Sequence, residues 1–153
     1  MVGKGPMASA RMTTEMLAEA LRSAHPELER IAAAADGPVY VVGGAVRDQL
    51  LGRGRADLDV VIVGDAAALG RALGATEVVE HERFATAKVE IAGHPVDIAT
   101  ARTETYPEPG ALPVVAPAAE IEADLARRDF TINAMAVPVG GEAMLVDPHG
   151  GRE

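Results

Sequence analysis

Two aspartates one residue apart, Asp57-Leu58-Asp59, open the apolar run that continues to Val63. On a strand, residues i and i+2 share a face, so this spacing sets two carboxylates side by side. Such a pair repels itself and is hard to desolvate unless a cation lies between its members. Oxygen-only ligands suit Mg²⁺, which is commonly held by one or two carboxylates together with substrate phosphates. The same spacing also arises where Asp57 caps a strand and Asp59 sits at a wet edge, so the surroundings must decide. Val42-Gly43-Gly44 closes an earlier apolar run and opens a helical pattern, and only 12 residues separate Gly44 from Asp57. Glycines there let the backbone approach a ligand, and free amides at a helix start attract phosphate. Arg47, one turn further on, can add a charge-assisted hydrogen bond to the same phosphate. Taken singly these are an ordinary turn and a surface Arg47-Asp48 pair. Together with the D-x-D strand they make a much rarer arrangement.

The elements that must position these groups follow from periodicity and punctuation. Residues 1–12 are rich in Gly, Pro and Met without a period and read as a loose leader. Thr13-Thr14-Glu15 offers an N-cap before Met16, Leu17, Ala20 and Leu21, which recur at helical spacing. Pro26 divides that helix from a second over 27–35, which Asp36-Gly37-Pro38 stops. Residues 13–36 are therefore an N-terminal helical segment, and 37–153 the main domain. Within it, Val39–Val42 and Asp57–Val63 are β-branched runs of buried strands. Helices are predicted over 45–51, 65–73 and 118–127, and further strands over 76–80, 86–91 and 95–100. Ala92-Gly93-His94 joins the last two strands as a hairpin. Residues 103–117 hold four prolines and a glycine and read as a loop. The sum is an α/β (α+β) domain, with a mixed sheet of about five strands flanked by helices.

Composition narrows the function. The 153 residues are 48% hydrophobic and 24% charged, enough apolar content to bury a core. There is no cysteine, which excludes disulfides, thiolate-zinc sites and a thiol nucleophile. No apolar run reaches the roughly 18 residues of a membrane span, and the N-terminus lacks a secretory core. A cytoplasmic, soluble protein without a membrane partner is expected. Fourteen Lys and Arg against 23 Asp and Glu give a net charge of −9, a poor surface for gripping phosphate backbones. Two Phe, two Tyr and no Trp leave little to stack on bases. If the protein works on RNA, this chain does not hold most of it.

The strand, double glycine, helix and D-x-D strand resemble the polymerase-beta-like nucleotidyltransferases. GGAVRDQLLG followed by DLDVVI is similar to the class II tRNA nucleotidyltransferases (CCA-adding enzymes) and bacterial poly(A) polymerases. ERFATAKV (82–89), DIATARTETY (97–106), ADLARRDFTINAMA (123–136) and LVDPHGG (145–151) follow in that family's order. The resemblance covers about residues 38–151, nearly the whole catalytic head of such enzymes. It implies that the family's neck, with its base-selecting helix, and the body and tail that grip tRNA lie outside this chain.

By the resemblance, Asp57 and Asp59 match the pair that binds two Mg²⁺ ions together with the nucleotide triphosphate. Asp97 matches a third catalytic carboxylate, and the predicted hairpin sets it on a neighbouring strand. Gly43, Gly44 and Arg47 match nucleotide-phosphate contacts. Arg128, Asp129 and Asn133 match the motif that meets sugar and triphosphate. Arg127 reads instead as a cation at a helix C-terminus. Residues 103–117 match a mobile loop between nucleotide choices, and His81 and His94 match nothing catalytic. The implied reaction is template-independent, metal-dependent transfer of a nucleotide from CTP or ATP to the 3′-hydroxyl of tRNA, as CCA addition or repair. Two ions roughly 3.5–4 Å apart would activate the hydroxyl and steady the leaving pyrophosphate. Poly(A) addition, a single-domain nucleotidyltransferase with another substrate, and a nucleotide-binding head inactive without its RNA-binding domains are the alternatives.

Overall fold

The computed structural model describes residues 12–53, 57–81, 84–128 and 134–151. Helix α1 (Thr14–Ala24) starts where the capping residue predicts, the Thr13 hydroxyl accepting from the Met16 amide at 3.1 Å. Helix α2 (Leu28–Ala34) follows, and strand β1 (Val39–Val42) leads through Gly43 into helix α3 (Gly44–Leu50). Strand β2 (Leu58–Ile62) is followed by helix α4 (Ala66–Ala72), capped by Asp65, which accepts from the Ala68 amide at 3.1 Å. Strands β3 (Glu77–Glu80), β4 (Ala85–Ile91) and β5 (His94–Thr100) complete the centre of the sheet. Then come β6 (Arg102–Thr105), β7 (Val114–Pro117), helix α5 (Ile121–Ala126) and β8 (Ala136–Pro138).

Six strands form one mixed sheet in the order β3-β4-β5-β2-β1-β8, with β2 and β5 parallel and the other pairs antiparallel. The expected sheet of about five strands gains β8, a three-residue edge strand too short to show a period. A second departure lies in the proline-rich stretch. β6 and β7 pair as a separate two-stranded ribbon, with residues 106–113 between them, where a loop was expected over 103–117. Both strands are edges, so Pro117 removes no hydrogen bond that a third strand would need. The helix expected over 118–127 is also shorter, because the Ala118 amide donates to the Ala101 carbonyl at 2.8 Å and stays extended.

Alternation along the strands divides the sheet into two unlike faces. Val41, Leu58, Val60, Ile62, Val89, Ile91, Val96 and Ile98 pack against Leu17, Leu21, Ile31, Val46 and Leu69 of the helices in one large core. The N-terminal helices α1 and α2 therefore share that core with the sheet. On the opposite face, α5 covers only one end, where Ile121 and Leu125 meet Val42, Val61 and Ala136. The other end of that face is left open. Among the described residues, no helix is long and apolar enough to cross a membrane.

Candidate active site

The open face carries one row of side chains set by register alone. Val42, Asp59, Asp97, Lys88 and Glu77 are successive Cα partners across β1, β2, β5, β4 and β3. Asp59 and Asp97 therefore lie abreast on parallel strands, although 38 positions separate them in the chain. A cleft of about 360 Å³ lies over this row, lined by Asp59, Asp97, Lys88, Glu77, Thr86 and Arg128 among others. The hairpin that turns at Ala92-Gly93 sets Asp97 beside Lys88, and the parallel pairing of β5 with β2 sets it beside Asp59.

Asp59 is half-buried, and its carboxyl is held above the ordinary carboxylate range. Burial is the larger cause and the neighbouring Asp97 the next; Asp57 adds to the rise, while Arg128 and Lys88 oppose it. Asp97 is 59% exposed at the side chain, and its Oδ1 stands 3.5 Å from Lys88 Nζ. Asp57 is exposed and lies just before β2 begins, so it borders the row without belonging to the strand. Among the described residues, no group of three or more His, Cys, Asp or Glu side chains is gathered closely enough to hold a metal ion by itself. The acidic row is instead an open donor set of oxygens whose mutual repulsion a cation would relieve. That is the kind of site Mg²⁺ shares with substrate phosphates.

Gly43, Gly44 and Arg47 do not line this cleft. Gly43 takes φ +70° and ψ −132°, a backbone shape that favours glycine and that turns β1 directly into α3. A Cβ on Gly44 would come within 3.1 Å of Arg47 Nη2, so the missing side chain leaves room for that guanidinium. Arg47 Nε also donates to Asp48 Oδ1 at 3.0 Å. Val42 ends β1 level with Asp59, so the double-glycine turn begins one residue beyond the acidic row. Arg128 reaches the cleft itself. Asp129 and Asn133 lie outside the described residues.

Glu77, Thr86, Lys88 and Asp124 were not anticipated from the sequence, and the last two bear most on the chemistry. Lys88 extends the carboxylate row, and alternation with exposed Thr86 and Glu90 could have placed it on the open face. Asp124 is fully buried in α5, among Ile121 and Leu125. Its Oδ1 accepts from Arg128 Nε and Nη2 at 3.2 and 3.0 Å. Its Oδ2 accepts from the Arg102 amide at 2.8 Å and from Arg127 Nη2 at 3.4 Å. The signal in the sequence was an acid three and four residues ahead of a double arginine. Arg127 thus does more than favour a helix end, since it also approaches Glu104 Oε2 at 3.7 Å. His81 is exposed and stacks on Phe84 with ring centroids 4.7 Å apart, away from the carboxylates.

Comparison with known proteins agrees with this geometry. Residues 39–153 match the family described as the poly A polymerase head domain. An A-adding tRNA nucleotidyltransferase of Aquifex aeolicus is 47% identical over an alignment of 117 residues that covers 73% of this chain and 14% of that protein. A solved CCA-adding enzyme in an apo form superposes with a TM-score of 0.67 at 37% identity, covering 97% of this chain and 35% of that one. A solved tRNA nucleotidyltransferase complexed with a primer tRNA and an incoming ATP analog gives 0.59 at 39% identity, covering 81% and 35%. This chain thus spans well under half the length of these relatives. With the motifs in order, the fold shared and the carboxylates abreast on the open face, the chain belongs to the poly(A) polymerase head-domain family of nucleotidyltransferases.

Proposed function

We propose that this chain is the catalytic head of a cytoplasmic tRNA nucleotidyltransferase, transferring a nucleotide from CTP or ATP to the 3′-hydroxyl of tRNA. The observation that carries the reading is the in-register pairing of Asp59 with Asp97 on an open sheet face, under a cleft that Arg128 also lines. Residues 37–153 form the head and 13–36 its helical segment. Asp59 and Asp97, with Asp57 at the strand start, are the groups that would hold Mg²⁺. Bound there, Mg²⁺ supplies charge for the triphosphate and makes the RNA hydroxyl more acidic.

The chain's own residues then account for the remaining work. Arg128, which lines the cleft, would meet the polyphosphate there, and the family's motif assigns Gly43, Gly44 and Arg47 to the same phosphates. The family's motif assigns Asp129 and Asn133, which lie outside the described residues, to the sugar and triphosphate. Asp97 is the carboxylate that would accept the proton from the 3′-hydroxyl, a role supported by its exposure beside Asp59. The bond from the 3′-oxygen to the α-phosphorus forms as the bond to the β-phosphate oxygen breaks, and pyrophosphate leaves. Positioning and charge carry the rate, so no covalent enzyme intermediate is required.

The test is incubation with Mg²⁺, labelled CTP or ATP and tRNA lacking its 3′ end, alone and with a neck-and-body fragment added in trans. Labelled tRNA that disappears in Asp59→Ala is the expected result; unchanged labelling by that variant would refute the assignment. Because the matching family is described by poly(A) polymerase, polyadenylation is the second reading. Extended A tails on a tRNA already ending in CCA would favour it.

A further inference from the structure

We propose that Asp124 is a positioning residue that aims Arg128 into the cleft and ties that arginine to the first strand of the β6–β7 ribbon. The inference rests on the nucleotide-transfer reading above, and names a residue that the reading leaves without a role. A carboxylate with 1% side-chain exposure is costly to bury unless its lone pairs are filled. Here Arg128 approaches one oxygen through two nitrogens, while the Arg102 amide and Arg127 take the other. Arg102 opens β6, so a single buried side chain joins the ribbon to the cation lining the cleft.

Charge continues beyond that junction. Arg102 Nη2 lies 3.2 Å from Glu104 Oε2, and Arg127 Nη1 lies 3.7 Å from the same oxygen. The sequence of contacts Arg102, Glu104, Arg127, Asp124, Arg128 therefore alternates in sign and carries one net positive charge. Its cleft-side end is Arg128. Asp124 neutralises part of that charge but, more usefully, restricts a long side chain that would otherwise be free to rotate through many rotamers. An arginine ordered before the ligand arrives binds a polyphosphate without that ordering cost. The geometry also joins displacement of the ribbon at Arg102 to displacement of Arg128.

The test compares the wild-type chain, Asp124→Asn and Arg128→Lys by two readouts. The first is hydrogen exchange of the Arg128 Nε–H by ¹⁵N NMR, which needs no nucleotide. The second is the Kd for ATP and CTP by titration calorimetry. Asp124→Asn keeps the size of the side chain and one acceptor oxygen but removes the charge; it should reduce the Arg128 Nε–H protection and bind triphosphate about 10-fold more weakly. Arg128→Lys keeps the positive charge but not the fork, and should weaken binding to a similar degree even if Asp124→Asn fails to fold. Wild-type-level affinity in Arg128→Lys, or in a folded Asp124→Asn, overturns the proposal. So does an Arg128 Nε–H as strongly protected in Asp124→Asn as in the wild type. A wild-type chain that binds no triphosphate would instead overturn the nucleotide reading, and the positioning role with it.

Discussion

Replacing Asp59 by Asn should make the metal-free protein more stable at neutral pH while removing transfer activity. Asp59 stands beside Asp97 on adjacent strands, and its carboxyl is raised by burial and by that neighbour. With the strand spacing of about 4.8 Å as the separation, two full charges repel by about 0.9 kcal/mol in water and about 3.5 kcal/mol at an effective dielectric near 20. Asp97 is 59% exposed and paired with Lys88, so the watery limit governs. The expected gain is about 1 kcal/mol, or roughly 2–4 °C in Tm for a chain of this size. Its pH dependence has a definite sign. A folded-state pKa above the unfolded value means that the folded protein takes up the proton first. The stabilisation from protonation is fully present below the unfolded pKa, near 3.9, and is lost as pH rises through the folded one. The advantage of Asp59→Asn should therefore open as pH rises through the folded pKa of Asp59 and close in acid. Urea unfolding across that range measures it, with and without millimolar Mg²⁺, which should stabilise the wild type more than the variant. An Asp59→Asn protein less stable than wild type at neutral pH without metal would refute the reasoning, because the carboxylate would then be holding the fold together.

Three further substitutions test the frame that carries the site. Gly70→Ala should destabilise by about 1–3 kcal/mol in urea unfolding despite the better helix propensity of Ala, because the new Cβ would stand 2.4 Å from the Ala87 Cβ where α4 packs on β4. Thr100→Val should cost about 2 kcal/mol by the same measurement, since the Thr100 hydroxyl accepts from the amides of both Ala66 and Ala85 at 3.3 Å and valine leaves them unpaired; Thr100→Ser should recover most of the loss. Ala92→Asn should raise Tm in a thermal melt, by up to about 1 kcal/mol of stability, because Ala92 takes φ 52° in the β4–β5 turn, a left-handed shape that asparagine tolerates better.

The sequence was most legible where a physical rule acts over a few residues. Thr13 and Asp65 cap their helices as short-range hydrogen bonding requires, and β4 alternates buried and exposed positions without exception from Ala85 to Ile91. It was least legible where pairing supplies what local preference does not. Four prolines made 103–117 read as a loop, yet Arg102–Thr105 and Val114–Pro117 find each other because neither strand needs a partner on its outer edge. Ala136–Pro138 is a strand only because β1 offers it an edge.

The site divides along the same line. Residue types and spacing exposed Asp57, Asp59 and the double glycine, and the family's motifs added Asp97 and Arg128. No local pattern could show that Asp59 and Asp97 are register partners, since their alignment comes from two parallel strands separated by α4 and the β3–β4 hairpin. Nor could one show that α5 stops short of them. The face stays open there because β4 places Thr86, Lys88 and Glu90 where a covering helix would need apolar side chains. The polar half of β4's alternation therefore leaves the face that carries Asp59 and Asp97 uncovered, while the apolar half anchors the same strand in the core. A strand with both faces apolar would have closed the cleft over the carboxylates and forced their full desolvation.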